Sequence, residues 1–185
     1  EASEGLLTIC LADDSCVFGV EAEGAGMVGA IVNDPATGRI EQIGLSPAGD
    51  VDLAIENAGD AQIAAHAVAS ETGGLAQASA LVINGVYQSG AAPGDVALNL
   101  SNFGELLIDA GANAHGEEAG AARATASVQN AIHQFAFSSE GGASIGLSNE
   151  GSLEVAAIAT ATEGVGGTTT FAFGGAALAH ANGIV

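Results

Sequence analysis

The feature that most constrains the fold of this 185-residue chain is a motif that returns about every 46 residues. An alternating apolar run is followed by Asn-x-Gly at Asn57, Asn102 and Asn149, which are 102 − 57 = 45 and 149 − 102 = 47 residues apart. A second anchor is a glutamine two positions after an apolar residue. It occurs at Gln42, Gln88 and Gln134, at intervals of 88 − 42 = 46 and 134 − 88 = 46 residues. Such spacing is typical of a repeat architecture.

The spacing of apolar residues within each copy predicts β-strands. In Val96, Leu98 and Leu100 the period is two, which places all three side chains on one face of a strand. Because the motif always returns in the same direction, a solenoid is favoured over hairpins. Each unit holds two anchors, so we interpret it as two coils of about 23 residues each. The sequence therefore predicts an all-β parallel β-helix (β-solenoid) over residues 39–185. Residues 1–38 form an atypical N-terminal segment, either a cap or a docking piece.

Several amide side chains share the phase of the inward-facing apolar residues. A buried amide without a partner costs a few kcal/mol, but amides stacked in register can bond to the next rung of a ladder. We therefore predict a structural ladder, with a polar ligand groove as the alternative. The members of the predicted ladder are Asn57, Asn102, Asn149, Gln42, Gln88, Gln134, Asn84, Asn130 and Asn182. The glycines two positions after the first three, Gly59, Gly104 and Gly151, are predicted corners that need positive φ or leave no room for a Cβ atom.

The charge balance excludes several classes of partner. There are 22 acidic and two basic residues, giving 2 − 22 = −20, and this argues against binding nucleic acid or an anionic membrane surface. With 48% apolar residues, the chain is expected to fold. No apolar run is long enough for a transmembrane helix, so we expect no membrane insertion. Cys10 and Cys16 predict a short-loop disulfide formed in an oxidising compartment, with two buried free thiols as the alternative.

The sequence gives little evidence for catalytic or metal-binding residues. The carboxylate pairs are Asp13 with Asp14, Glu117 with Glu118, and Asp60 with Glu105; the histidines are His66, His115, His133 and His180. The histidines lack metal-ligand spacing, and one Tyr with no Trp leaves little aromatic surface for a sugar cleft. Asp50 and Asp95 recur without a dedicated calcium loop. We therefore expect no catalytic residues, no metal site and no cofactor, with loosely bound calcium as an open alternative.

The segments "IENAGDAQIAAHAVA", "SNFGELLIDAGANA" and "SNEGSLEVAAIATA", with "INGVYQ" and "QNAIHQ" between them, resemble the passenger regions of bacterial autotransporter and adhesin-type surface proteins. The resemblance covers residues 39–185. It implies a right-handed parallel β-helix, exposure on a Gram-negative cell surface, and a role in adhesion, biofilm or fibre formation. It supplies no catalytic residues.

The expected function is thus that of a non-catalytic, extracellular structural or adhesive repeat protein in a surface rod or fibre. The alternative is a β-helix protein that binds or degrades polysaccharide. Expected partners are further repeats or copies joined end to end, and a host-surface or glycan ligand. An ice-binding solenoid would need a row of Thr on successive coils, whereas the Thr residues at 168–170 cluster within one coil.

Overall fold

The computed structural model of the protein describes residues 3–10, 15–33, 37–118, 120–163 and 176–181. Fifteen β-strands lie in these ranges, and no helix long and apolar enough to cross a membrane occurs in them. The strands are β1 (Ser3–Cys10), β2 (Ser15–Ala25), β3 (Met27–Val32), β4 (Ile40–Leu45), β5 (Val51–Asn57), β6 (Asp60–Thr72), β7 (Leu75–Ile83), β8 (Val86–Ala92), β9 (Val96–Asn102), β10 (Glu105–Glu117), β11 (Ala121–Gln129), β12 (Ile132–Ser138), β13 (Ala143–Asn149), β14 (Ser152–Thr162) and β15 (Ala176–Ala181).

The strands form four parallel sheets, and the chain visits them in a fixed order. Sheet 1 contains β1, β5, β9 and β13; sheet 2 contains β2, β6, β10 and β14; sheet 3 contains β3, β7, β11 and β15; sheet 4 contains β4, β8 and β12. Four consecutive strands therefore enter four different sheets before the chain returns to the first. The prediction of an all-β chain with parallel, stacked strands is confirmed, and the arrangement is consistent with a parallel β-helix.

The register corrects the predicted coil length. Between the second and third strands of a sheet the interval is 45 residues in sheets 1 and 2 and 46 residues in sheets 3 and 4. A passage through all four sheets therefore takes about 46 residues, not two coils of about 23. The two anchors occupy different sheets of the same passage, because the asparagines end strands of sheet 1 and the glutamines lie within strands of sheet 4. We call one such passage a turn.

The described residues among the first 38 follow the repeat more closely than their sequence indicates. Strands β1, β2 and β3 pair in parallel with β5, β6 and β7 and so add a first strand to three of the sheets. In β2 the alternate residues Cys16, Phe18 and Val20 pack against the main core, as alternate residues of the later turns do. The alternation of apolar residues is thus sufficient for stacking even where the Asn-x-Gly motif is missing.

Small side chains fill the interior. Between sheets 2 and 3 the buried residues are mostly alanines, with Ile63, Val82, Leu106 and Ile108 among them. Between sheets 1 and 4, the glycines of sheet 4 face the larger residues of sheet 1. A Cβ atom on Gly90 would lie 2.9 Å from a methyl carbon of Leu98. The many Ala and Gly residues therefore let pairs of sheets approach closely while keeping the interior filled.

Candidate functional site

Three of the predicted asparagines form one row of side-chain hydrogen bonds at the ends of the sheet 1 strands. The Nδ2 atom of Asn57 donates to Oδ1 of Asn102 at 2.7 Å, and Nδ2 of Asn102 donates to Oδ1 of Asn149 at 2.6 Å. Each amide also bonds within its own corner, as Asn57 does to the carbonyl oxygen of Gly59 at 3.0 Å. Asn57 and Asn102 are almost fully buried. The row thus supplies partners to amides that burial would otherwise penalise.

The three predicted glutamines form a second row inside sheet 4. The Nε2 atom of Gln134 donates to Oε1 of Gln88 at 2.8 Å, and Nε2 of Gln88 donates to Oε1 of Gln42 at 2.9 Å. Gln88 is fully buried and also donates to the carbonyl oxygen of Leu53, in sheet 1, at 3.1 Å. This row therefore connects neighbouring sheets as well as successive turns.

The two rows have opposite polarity. Asn57 and Asn102 donate to the turn that follows them in the chain, whereas Gln88 and Gln134 donate to the turn that precedes them. The first asparagine therefore presents an acceptor to the first turn, and Oδ1 of Asn57 is buried without a hydrogen-bond partner among the described residues. In the register, Cys10 lies beside Asn57. The first turn thus has a cysteine where the later turns have an asparagine.

The remaining predicted ladder positions have a different role. Asn84 and Asn130 adopt left-handed backbone conformations, with φ of 51° and 50°, at the corners between sheets 3 and 4. Asparagine tolerates this region better than most residues, which accounts for its recurrence there. No hydrogen bond joins these two side chains, both of which the structure describes, so including them in the ladder was wrong. Asn182 lies outside the described residues.

The corner glycines are explained by crowding. A Cβ atom on Gly104 would overlap the carbonyl oxygen of Gly59, and one on Gly151 would overlap that of Gly104. The two crowded residues, Gly104 and Gly151, do not have positive φ. Of the two predicted reasons for these glycines, the lack of room for a side chain therefore applies to this pair. The corners of successive turns stack so closely that only hydrogen atoms fit between them.

A row of aspartates is a structural feature that the sequence analysis missed. The backbone N–H of Asp95 donates to a carboxylate oxygen of Asp50 at 2.8 Å, and the N–H of Gly142 donates to a carboxylate oxygen of Asp95 at 2.7 Å. These bonds join the corners between sheets 4 and 1 in successive turns. The recurrence of aspartate after glycine, considered above for calcium, was the signal for this row.

The other candidate polar residues are spread over the surface. Asp60 and Glu105 are paired in register on neighbouring strands, and the Glu117 carboxylate accepts a bond from Thr72 at 2.8 Å. Asp13 and Asp14 lie outside the described residues, as do the Thr residues at 168–170. Within the described ranges, no group of three or more His, Cys, Asp or Glu side chains is arranged to hold a metal ion.

One polar cluster on the outer face of sheet 2 involves a histidine. Nε2 of His66 lies 2.6 Å from Oδ2 of Asp109, and Gln62 donates to the other carboxylate oxygen at 2.9 Å. The His66 ring lies over Gly111, which has no side chain to displace it. The cluster ties β6 to β10 across the surface of the sheet.

The outer face of sheet 4 gathers aromatic side chains that are distant in sequence. Its register gives three outward rows, which are Glu41–Tyr87–His133, Ile43–Ser89–Phe135 and Leu45–Ala91–Phe137. The Arg39 guanidinium lies 5.1 Å from the centre of the Tyr87 ring, whose centre is 5.4 Å from that of His133. Arg39 also pairs with Glu41. On β8 the outward residues Ser89 and Ala91 are small, and they lie in register between larger residues of β4 and β12, which include the half-exposed Phe135 and Phe137.

The predicted disulfide stays a prediction. Cys10 ends β1 beside Asn57, and Cys16 lies in β2 beside Ala61, so the two cysteines flank the first corner between sheets 1 and 2. Cys16 is partly buried against the main core.

Comparisons with family models, with curated proteins and with solved structures find no match to this chain.

Proposed function

We propose that the chain is a non-catalytic structural segment of an extracellular rod. In this proposal the four sheets wrap around the two core clusters as a closed β-solenoid, right-handed as in the proteins that the sequence resembles. The single observation that carries the proposal is the pair of amide rows. They use the buried polar groups to hold one turn on the next, which is the chemistry that a rod requires.

The last complete strand of sheet 1 supports the proposal that turns continue to stack end to end. Ile145 and Leu147 of β13 lie in register with Leu98 and Leu100 of β9. Leu98 and Leu100 are 0% and 1% exposed, whereas Ile145 and Leu147 are 53% and 38% exposed. A further turn, from a second copy or from more chain, would cover these side chains and bond to Asn149.

A substitution at this end tests the stacking. The double variant Ile145→Glu with Leu147→Glu places two charges where the next turn would pack, and we expect it to abolish concentration-dependent elongation measured by small-angle X-ray scattering. The control is Ile158→Glu, which adds a charge on the outer face of β14 where the side chain is already 65% exposed. Elongation that survives the double variant, or that never occurs in the native chain, would exclude end-to-end stacking of copies.

We propose that the rod lies on the cell surface and that its first turn acts as a cap or as a docking piece for the preceding subunit.

Loose calcium binding is also proposed, because exposed carboxylates are numerous and Asp50 and Asp95 each use one oxygen for a backbone N–H. Calcium titration followed by thermal unfolding tests this idea. A melting temperature unchanged by millimolar calcium would remove it.

A second candidate function is polysaccharide binding on the outer face of sheet 4. It is favoured by the half-exposed Phe135 and Phe137 beside Tyr87, because aromatic faces pack well against sugar rings and Ser89 adds a hydroxyl between them. A glycan array probed with the native chain and with Phe135→Ala tests it. Retention that depends on Phe135 supports binding at this face, and no retained glycan, or equal retention by both chains, counts against it.

A further inference from the structure

Acidic residues are distributed very unevenly among the four sheets. The strands of sheet 2 contain eight: Glu21, Glu23, Asp60, Glu71, Glu105, Asp109, Glu117 and Glu154. The strands of sheet 1 contain three and those of sheet 4 contain one, whereas the four strands of sheet 3 contain none. The one basic residue of sheet 3 is Arg123. A chain with a net charge of −20 therefore has one strand face without a carboxylate.

The same face exposes apolar side chains. Met27, Ile31 and Leu75 are 75%, 47% and 48% exposed, and they lie on the outer side of β3 and β7. In the register Met27 lies beside Gln77, Ile31 beside Leu81 and Leu75 beside Ala121, and none of these neighbours is charged. The exposed Arg123 lies beside Gln77 and is the one Lys or Arg on this face. The outer face of sheet 3 is thus a sheet surface on which apolar groups remain in water and no carboxylate opposes the approach of an anion.

We propose that this face pairs side by side with the same face of a second copy. Two bodies of charge −20 repel each other, so they can meet closely only where no carboxylates face each other. Sheet 3 is the one sheet that meets this condition by itself. Pairing sheet 3 with the outer face of sheet 2 would instead place several carboxylates against a face with one cation, Arg123, so most of them would be buried without a partner at a high desolvation cost. Like faces therefore pair, and the dimer is two-fold symmetric.

The size of the face predicts a weak dimer. The four strands contain six, nine, nine and six residues. At about 3.3 Å per residue and about 4.8 Å between strands, they cover roughly 480 Å² per copy. The two copies together would bury about 950 Å², which is the size of a weak, transient interface. The dissociation constant should therefore be on the order of 10 μM or weaker. Lateral pairing does not depend on the proposed rod, but it would bundle rods that carry it.

Salt dependence provides the first test. Sedimentation equilibrium of the full chain is measured in 0.1 M and 1 M NaCl, between which the screening length falls from about 10 Å to about 3 Å. Because the carboxylates outside the interface repel each other, we expect the dimer dissociation constant to fall by about tenfold at the higher salt concentration. A chain that is monomeric at both salt concentrations, or a dimer that weakens as salt is added, would overturn the proposal.

A matched pair of charge substitutions locates the interface. Thr125→Glu adds a carboxylate to the outer face of sheet 3, and Thr160→Glu adds one to the outer face of sheet 2. We expect Thr125→Glu to weaken the dimer about a hundredfold, because like charges then meet across the two-fold axis, and Thr160→Glu to leave it within about threefold of the native chain. If Thr125→Glu fails to fold by circular dichroism, Ser79→Glu at an exposed position of β7 replaces it.

Two other outcomes count against lateral pairing. Equal loss of association in Thr125→Glu and Thr160→Glu would mean that total charge, not this face, governs association. Loss in the double variant of Ile145 and Leu147, with no loss in Thr125→Glu, would assign the association to end-to-end stacking. Scattering from the native dimer separates the two geometries, because lateral pairing increases the cross-section whereas end-to-end pairing increases the length.

Discussion

Removal of the central asparagine side chain should destabilise the fold more than removal of the outer one. In Asn102→Ala the chain loses the bond from Asn57 at 2.7 Å and the bonds that Nδ2 of Asn102 donates to Oδ1 of Asn149 at 2.6 Å and to the carbonyl oxygen of Ser152 at 2.7 Å. The weaker bond to Gly104 at 3.2 Å is lost as well. Three acceptors share two amide hydrogens, so at most two of these donated bonds are at full strength.

The expected magnitude follows from burial. Asn102 is 1% exposed, so its loss leaves buried polar groups without partners, and each such group costs about 1–3 kcal/mol. The Nδ2 atom of Asn57 retains the carbonyl oxygens of Gly59 and Glu105, both at 3.0 Å, which limits the damage on that side. We expect Asn102→Ala to lower the free energy of unfolding by about 3–5 kcal/mol. Asn149→Ala should cost about 1 kcal/mol, because Asn149 is exposed and water replaces its partners.

Urea unfolding followed by circular dichroism measures both values, with Asn102→Asp as a third variant. Aspartate keeps the shape but places carboxylate oxygens against Oδ1 of Asn149 and two carbonyl oxygens, so it should destabilise at least as much as alanine. An Asn102→Ala variant that is no less stable than Asn149→Ala would refute the argument that buried amide stacking holds the turns together.

Three further predictions concern the corners and the first turn. Gly104→Ala should lower the free energy of unfolding by about 2–4 kcal/mol in the same assay, because its Cβ atom would overlap a carbonyl oxygen of the preceding turn. The control Gly111→Ala requires only that a histidine ring move, so it should lower the free energy of unfolding by less than about 1 kcal/mol. Equal losses of stability in the two variants would contradict the crowding at Gly104. Gln88→Leu should cost about 2–3 kcal/mol, since it leaves the partners of a fully buried amide unpaired, and a neutral result would mean that the glutamine row contributes nothing. In the unreduced, unfolded chain Cys10 and Cys16 should resist alkylation and should gain two adducts only after reduction, as read by intact mass; alkylation of both without reductant would exclude the disulfide.

The sequence was sufficient to predict the features that depend only on the alternation of apolar residues within a strand and on the interval between repeats. Alternation of apolar residues predicts strands, and constant intervals predict that equivalent residues stack. Together they place Asn57 beside Asn102 and Gln42 beside Gln88, as the structure does. These inferences need only the period-two geometry of a strand and the direction of the repeat.

The number of strands in a turn could not be obtained in the same way. Period two is identical in every strand, so it does not reveal at which residues the chain bends into a new sheet. Two anchors per unit fit two short coils or one long turn equally well, and the pairing of Ile40 with Val86 selects the long turn. The role of the corner residues was difficult to predict for the same reason. Asn84 has the phase of an inward-facing residue but lies where the backbone needs positive φ.

Features built from several turns were missed because they depend on the final register. The aspartates at the corner between sheets 4 and 1 resemble cation ligands in the sequence, yet each carboxylate accepts the N–H one turn ahead. The aromatic face of sheet 4 exists only because β12 lies beside β8, which brings His133 to Tyr87. Neither arrangement can be recognised until the turn length is known.

Hydrogen-bond connectivity measured in solution tests the central claim, that one turn takes about 46 residues, most directly. In the uniformly ¹³C,¹⁵N-labelled, deuterated chain, scalar couplings across hydrogen bonds join an amide nitrogen to the carbonyl carbon that accepts its proton. We predict a coupling from the amide of Phe103 to the carbonyl of Asn57, and one from Val86 to Ala131, for which the N···O distances are 2.8 and 2.9 Å. A coupling from either amide to a carbonyl about half a repeat away, near 23 residues, would contradict the 46-residue turn.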